Sequence, residues 1–414
     1  MLRESAGKLS DNPEALFHFG MASYMMAQTE MAQGAFRKAL SADTDFSGKA
    51  EARRRLTFLE NAAKQEPHAD QLEKEVREQP DDVIAWMRLG RSYEAQGAFV
   101  KAAGAYEEAL KINPELLPAA VKLAQLNVGP LQNKNMAFAF AKRARDLAPD
   151  DAQVAGILGS IVYQLGNFSW SYSLLQESSF RLHGDAGVLH DYAWCAYVLG
   201  KISEAQTTME RAVEARPDPR IAADAKSFLA LTALEQNPER LPQSESEIQR
   251  ILVTDPAYVP ALIAKANLQV QRGDAQSAIA IYGDVLRHYP DFALAQKRLA
   301  SLYLEGPARI DEAYALALKA RNTLPDDSEL AQILGELSYK RKDFAYAIQS
   351  FQESARKKPL TGKDLYYLGM SQLRMGQDTE SRKTLEKALS AGLQEPMLHD
   401  ARAVIADLQR RSQL

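Results

Sequence analysis

Eight prolines, Pro80, Pro114, Pro149, Pro217, Pro256, Pro290, Pro325 and Pro359, stand 34, 35, 68, 39, 34, 35 and 34 residues apart. The 68-residue interval holds two periods, with His183 where a proline is expected. A period near 34 is the mark of a linear array of like units, each too small to bury its own core. It overrides the expectation, from 414 residues alone, of about three globular domains. Within each period, residues four apart share one helical face: Ala102 with Tyr106, Ala205 with Met209, Ala278 with Tyr282, Ala347 with Phe351. Gly97, Gly166, Gly200, Gly273 and Gly376 fall at mid-period, where a glycine ends one helix by taking a positive φ. Each period therefore reads as two helices, and the chain as all-α.

The best unit runs Trp86-Met87-Arg88-Leu89-Gly90-Arg91-Ser92-Tyr93, then Gly97, Ala102, Tyr106, Ala109 and Pro114. It resembles the tetratricopeptide repeat (TPR) pattern W-x2-L-G-x2-Y, A-x3-F, P, with Tyr for Phe. Other units keep the small site of the first helix as Gly20, Gly159, Gly335 and Gly369, or as Ala124, Ala193, Ala266 and Ala300. The resemblance covers essentially the whole chain. It implies a right-handed superhelical solenoid of antiparallel helix pairs, with first helices lining a concave surface.

The expected organisation is one continuous TPR solenoid over 1–414, about 11 units and a cap. Residues 1–12 form a partial helix, 13–82 two divergent units, 83–217 four units, 218–256 a degenerate unit, 257–395 four more, and 396–414 a capping helix. Pro219, Pro238 and Pro242 make 218–256 the expected place for a bend. Gly129-Pro130 and Gly306-Pro307 lengthen two inter-helix turns. In the cap, Val404, Ile405 and Leu408 line one side and Arg402, Asp407, Arg410 and Arg411 the other, as a solvated end requires.

Fifty basic against 54 acidic side chains give a net charge of −4, so no global field favours nucleic acid or anionic lipid. A composition 46% apolar and 25% charged argues against disorder, and charges interrupt every apolar stretch before it could span a bilayer. Direct membrane insertion is not expected. The start, MLRESAGKLS, carries no secretory signal. Leu2–Ala6 and Asp11-Asn12-Pro13 read as the end of a helix and its turn, so the chain is expected to begin inside a repeat, with any export signal upstream. Cytoplasm and periplasm both stay open.

Residues that resemble chemistry have plainer roles. Thr361-Gly362-Lys363 lacks the upstream glycine of a phosphate loop. Asp81-Asp82, Asp150-Asp151 and Asp326-Asp327 each follow a repeat-ending proline, where aspartate caps the next helix. His190-Asp191 and His399-Asp400 are adjacent residues pointing about 100° apart on a helix, poor geometry for one metal. Arg53-Arg54-Arg55 and Arg356-Lys357-Lys358 read as solvated faces and helix ends. Cys195, the single cysteine, reads as a packed thiol. No catalytic residue, metal or cofactor is expected.

The resemblance implies that positions 5, 9 and 12 of each first helix face the groove. These give Met87 and Arg91, then Ser160 and Tyr163, then His190, Trp194 and Tyr197, then Asn267, as candidate residues for holding a peptide or protein segment. Glu94, Val121, Gln125, Ile263, Lys297, Ser301, Gln332, Glu336, Tyr339, Tyr366 and Met370 occupy equivalent positions. Trp194 with its tyrosines is the sharpest cluster, because large amphipathic rings dominate peptide contacts; the alternative is that Trp194 leans on a neighbouring unit and fills the interior. Trp86 is expected in the core. The chaperone-tail clamp of some TPR domains needs Lys at 5 and Asn at 9; Asn267 has Ile263, and Lys297 has Ser301, so that partner is not expected.

The resulting expectation is a non-catalytic scaffold that binds a protein or peptide segment. Its Asp-Asn-Pro and Pro-Asp-Asp turns are similar to those of bacterial TPR proteins, including those of envelope or polysaccharide assembly. The alternatives are a substrate-recruiting arm of an enzyme whose catalytic domain lies outside this chain, and a self-associating scaffold.

Overall fold

Aspartate after a repeat-ending proline does what its chemistry predicts. The carboxylates of Asp82, Asp151 and Asp327 accept the first backbone N–H groups of the helices that follow them. Asn12, Asn133, Asn167, Asp185, Asp218, Asp274 and Asp343 do the same elsewhere, and Thr361 with Asp364 forms a reciprocal capping box. The computed structural model describes residues 12–42, 44–64, 68–182, 184–306 and 309–411. The expected partial helix over 1–12 lies outside these apart from Asn12, as do His183, Pro307 and the last residues of the cap.

Among the described residues there are 23 α-helices and no strand, an all-α solenoid of helix pairs. The chain divides into two compact units. Residues 1–183 hold α1 (Pro13–Met25), α2 (Thr29–Leu40), α3 (Lys49–Lys64), α4 (Ala69–Glu78), α5 (Val83–Ala95), α6 (Phe99–Ile112), α7 (Leu117–Val128), α8 (Lys134–Leu147), α9 (Ala152–Gln164) and α10 (Phe168–Arg181). Residues 184–414 hold α11 (Ala186–Val198), α12 (Ile202–Glu214), α13 (Pro219–Thr232), α14 (Glu245–Thr254), α15 (Val259–Gln271) and α16 (Ala275–His288). The same unit continues with α17 (Ala293–Leu304), α18 (Ile310–Thr323), α19 (Ser328–Lys340), α20 (Phe344–Ala355), α21 (Gly362–Arg374), α22 (Asp378–Ser390) and α23 (Met397–Arg411). No helix among the described residues is long and apolar enough to cross a membrane.

Close approach within a pair explains the small site. A Cβ on Gly90 of α5 would come 2.6 Å from the Tyr106 ring of α6, so only a glycine lets that ring lie against the helix. Phe351 against Gly335 and Leu385 against Gly369 repeat the arrangement. The buried second-helix residues Tyr106, Tyr282 and Phe351 are fully enclosed. Trp86, expected in the core, is half-buried at its edge, with its indole N–H donating to the Pro80 carbonyl at 2.8 Å. In the turns, Gly97 and Gly273 have φ of 71° and 78°. Ala27 and Lys342 take the same left-handed conformation at the equivalent point of their own pairs, φ 55° and 66°, without glycine's freedom.

Two pairs depart from this scheme: α3 with α4, and α13 with α14, do not pack closely on each other. The second case has a visible cause. Elsewhere three to five residues separate the helices of a pair, but α13 is followed by three short 3-10 turns, Ala233–Glu235, Pro238–Arg240 and Pro242–Ser244. Pro238 and Pro242 supply no backbone N–H to an α-helix, and the chain advances by tighter turns. The second helix shrinks to 10 residues. Leu234 and Leu241 turn inward and join Ile248, Ile251 and Leu268 in a local core. At the C-terminal end, Ala401, Ile405 and Leu408 of α23 are buried while Arg402, Arg410 and Arg411 are exposed.

Candidate functional site

His190 and Trp194 sit one turn apart on α11 and meet one carboxylate on α13. His190 Nε2 lies 2.8 Å from Asp224 Oδ2, and the Trp194 indole N–H donates to the same oxygen at 2.9 Å. His190 Nδ1 lies 3.1 Å from Asp191 Oδ1. Burial alone would depress the imidazole pKa, but the hydrogen bonds and charges of Asp191 and Asp224 outweigh it and raise it to about 9. His190 is therefore an imidazolium at neutral pH. For Asp224, burial works upward, and the bonds from His190 and Trp194 hold it below the ordinary carboxylate value.

The Trp194 ring stands edge-on to Phe228 and Tyr258, with centroids 5.1 and 5.6 Å away. Tyr197 contacts Phe228 and Phe292, both at 5.3 Å, and is 1% exposed; its burial pushes the phenol pKa far up. Phe292 opens the third helix pair after α11. A Cβ on Gly200 would come 2.9 Å from Leu324, which follows α18. The second compact unit thus curls tightly enough for the inner side of α11 to meet later pairs. Tyr197, expected to face the groove, is instead enclosed and offers no surface, while the half-buried Trp194 and His190 have their polar edges engaged by Asp224. A position code written for one helix and its neighbour does not register contacts three pairs away.

In the first compact unit Met87 is also enclosed, 4% exposed within the core around α5, and so is corrected as a contact residue. Arg91 is exposed on the same helix, and Ser160 and Tyr163 are half-buried on α9. Tyr163 lies edge-on to Phe168 at 5.7 Å. Glu94 accepts from the Tyr106 hydroxyl and pairs with Lys122 Nζ at 3.1 Å. Arg55, from the basic run, is drawn inside: it pairs with Asp82, which also accepts from the Tyr24 hydroxyl at 2.8 Å. Lys297 is likewise internal, its Nζ 2.8 Å from Asp327 and 2.9 Å from Glu329. Among the described residues no three His, Cys, Asp or Glu side chains converge as a metal site would need.

Asn267 stands at an open position. It borders a cleft of about 290 Å³ in the second unit, formed where the 3-10 turns after α13 face α15 and α17. Leu234, Leu241 and Leu302 give the cleft apolar walls, with Glu235, Arg298 and Ser301 among its polar groups. Asn267 Nδ2 donates to Glu235 Oε1 at 2.9 Å, while its Oδ1 accepts from the Tyr282 hydroxyl. Arg298 Nη1 is 3.4 Å from Glu329 Oε1, and its Nη2 is 3.8 Å from Glu235 Oε2. Burial pushes the Glu235 pKa up against the counter-pull of Arg298, Asn267 and Lys297. Sequence reasoning missed Glu235, Arg298 and Leu241, which fall outside the groove positions; the signal present was Pro238 and Pro242 interrupting the repeat.

Three tetratricopeptide-repeat models match the chain, over residues 67–116, 269–337 and 365–391. No curated protein matches it. Among solved structures, the TPR domain of P58(IPK) is 15% identical, with 88% of this chain and 98% of that chain covered and a TM-score of 0.32. The Cut9-Hcn1 hetero-tetramer of APC/C gives 13%, 100%, 86% and 0.38. A tetratricopeptide repeat protein from Parabacteroides merdae ATCC 43184 gives 11%, 79%, 98% and 0.29. Three separate matches, and one packing unit repeated along the chain, make this a member of the tetratricopeptide-repeat family, whose arrays are protein-interaction scaffolds.

Proposed function

We propose that this chain is a non-catalytic scaffold that holds a segment of a partner protein along the second compact unit, seated at the cleft beside Asn267 and Ser301. The observation that carries the reading is the cleft itself: apolar walls with a few convergent polar groups are what an inserted side chain needs. Arg91, Ser160 and Tyr163 are secondary contacts that the first unit offers by itself. The finer reading, a place in bacterial envelope or polysaccharide assembly, has only the style of the turns behind it and is decided by what the partner is.

The test is affinity capture by wild type and by Ser301→Phe, which fills the cleft with a ring, each first shown to have native helicity and melting. A defined protein captured by the wild type and lost with Ser301→Phe supports the reading. Capture unaffected by the substitution removes the cleft from it. A mass that grows with concentration, and falls back in the same variant, replaces it with self-association.

A further inference from the structure

We infer that the cleft takes one basic side chain, lysine or arginine, from the bound segment, with its methylene stem on Leu234, Leu241 and Leu302 and its charged end at Glu235 Oε2. This rests on the proposed peptide-binding reading and specifies what that site selects.

The Glu235 side chain is only 10% exposed, yet it lines the cleft. Oε1 is satisfied by Asn267, whereas the nearest cation to Oε2 is the Arg298 guanidinium at 3.8 Å, beyond hydrogen-bond reach. A carboxylate oxygen that faces a cleft from a largely enclosed side chain is well placed to accept a donor, and a donor bearing positive charge binds it most strongly. Arg298 cannot close the gap while it leans toward Glu329, and its own Nε is buried without a partner. Burial holds the Glu235 pKa up despite the opposing pull of Arg298, Asn267 and Lys297.

Charge decides between a basic and an acidic guest. Glu235 and Glu305 line the cleft against Arg298 alone, and Glu329 already engages that guanidinium. An incoming carboxylate would join an excess of like charge, whereas a lysine or arginine corrects it. The walls suit the rest of such a side chain, since these residues lay their methylene groups on apolar surface and keep only the tip polar. Asn267 is then a positioning residue: held by Tyr282, it fixes Glu235 Oε1 and leaves Oε2 toward the guest.

The test pans a displayed random-peptide library on the full chain. The expected ligands share a lysine or arginine at one position, and its norleucine analogue binds at least about tenfold more weakly. On Glu235→Gln, which keeps an oxygen for Asn267, the parent peptide should lose a similar factor and the norleucine change should cost nothing more, closing a double-mutant cycle. Ligands without a basic residue, or norleucine analogues that bind as well as their parents, overturn the inference and leave the peptide-binding reading standing. Recovery of no ligand overturns that reading, and the inference with it. The norleucine comparison uses wild-type protein only, so it decides even if Glu235→Gln unfolds.

Discussion

At the scale of single residues, His190 makes stability depend on pH in a direction that can be worked out. Its pKa rises from 6.5 to about 9 in the folded chain, a change worth about 3 kcal/mol. The folded state binds the proton more tightly, so the stabilisation is complete below about 6.5 and disappears as pH climbs through about 9. Denaturant titrations of wild type and His190→Gln should differ most at pH 6 and converge by pH 10; a constant difference across that range would mean the imidazolium is not the species bound by Asp191 and Asp224. Lys342 gives a prediction of the opposite sense. It is exposed and holds φ at 66°, where its Cβ costs roughly 1–2 kcal/mol that glycine avoids. Lys342→Gly should therefore stabilise the chain by up to about 1 kcal/mol after glycine's larger unfolded-state entropy is subtracted, read as an upward shift of the denaturation midpoint.

At the scale of helices, two aspartates with the same sequence signature carry different loads. Asp151 is an exposed cap that accepts the N–H groups of Gln153 and Val154, and Asp151→Ala should cost about 1 kcal/mol. Asp82 caps α5 in the same way but is 2% exposed and also receives the Tyr24 hydroxyl and the Arg55 guanidinium. Asp82→Ala leaves that buried arginine with Glu51 as its one remaining carboxylate beside the Tyr24 ring, and should cost about 3–5 kcal/mol by chemical denaturation. Equal losses at the two sites would show that the buried network contributes nothing beyond the cap. The contrast marks how far the sequence is legible. The proline period, the capping aspartates, the small site at Gly90 and the left-handed Gly97 are local, and each can be read from its neighbours. The partners of Asp82 come from other pairs, and nothing adjacent to it in sequence announces them. The cleft is of the same kind: Pro238 and Pro242 show where the repeat breaks, but its walls are completed by α15 and α17.

At the scale of the whole array, the aromatic interior of the second compact unit changes how that unit should come apart. In a solenoid whose pairs touch only their neighbours, stability is a sum of local terms and loosening stays local. Leu385 conforms: it packs against Gly369 in its own pair and within the cluster that runs on to Ile405 of α23, so Leu385→Ala should speed amide exchange in α21, α22 and α23 alone. Tyr197 does not conform, because its ring meets Phe228 of the next pair and Phe292, which opens the pair two further on. Leu324 beside Gly200 makes the same kind of long connection. Removing the Tyr197 ring opens a cavity between pairs that are not neighbours in sequence, at a cost of about 3–5 kcal/mol for an aromatic of this size. Tyr197→Ala should accordingly raise exchange in α11, α13 and α17 together, with one common opening free energy, while α21 to α23 stay protected. Exchange confined to α11 and α12 would mean that the unit opens pair by pair and that the ring contacts across it hold nothing together.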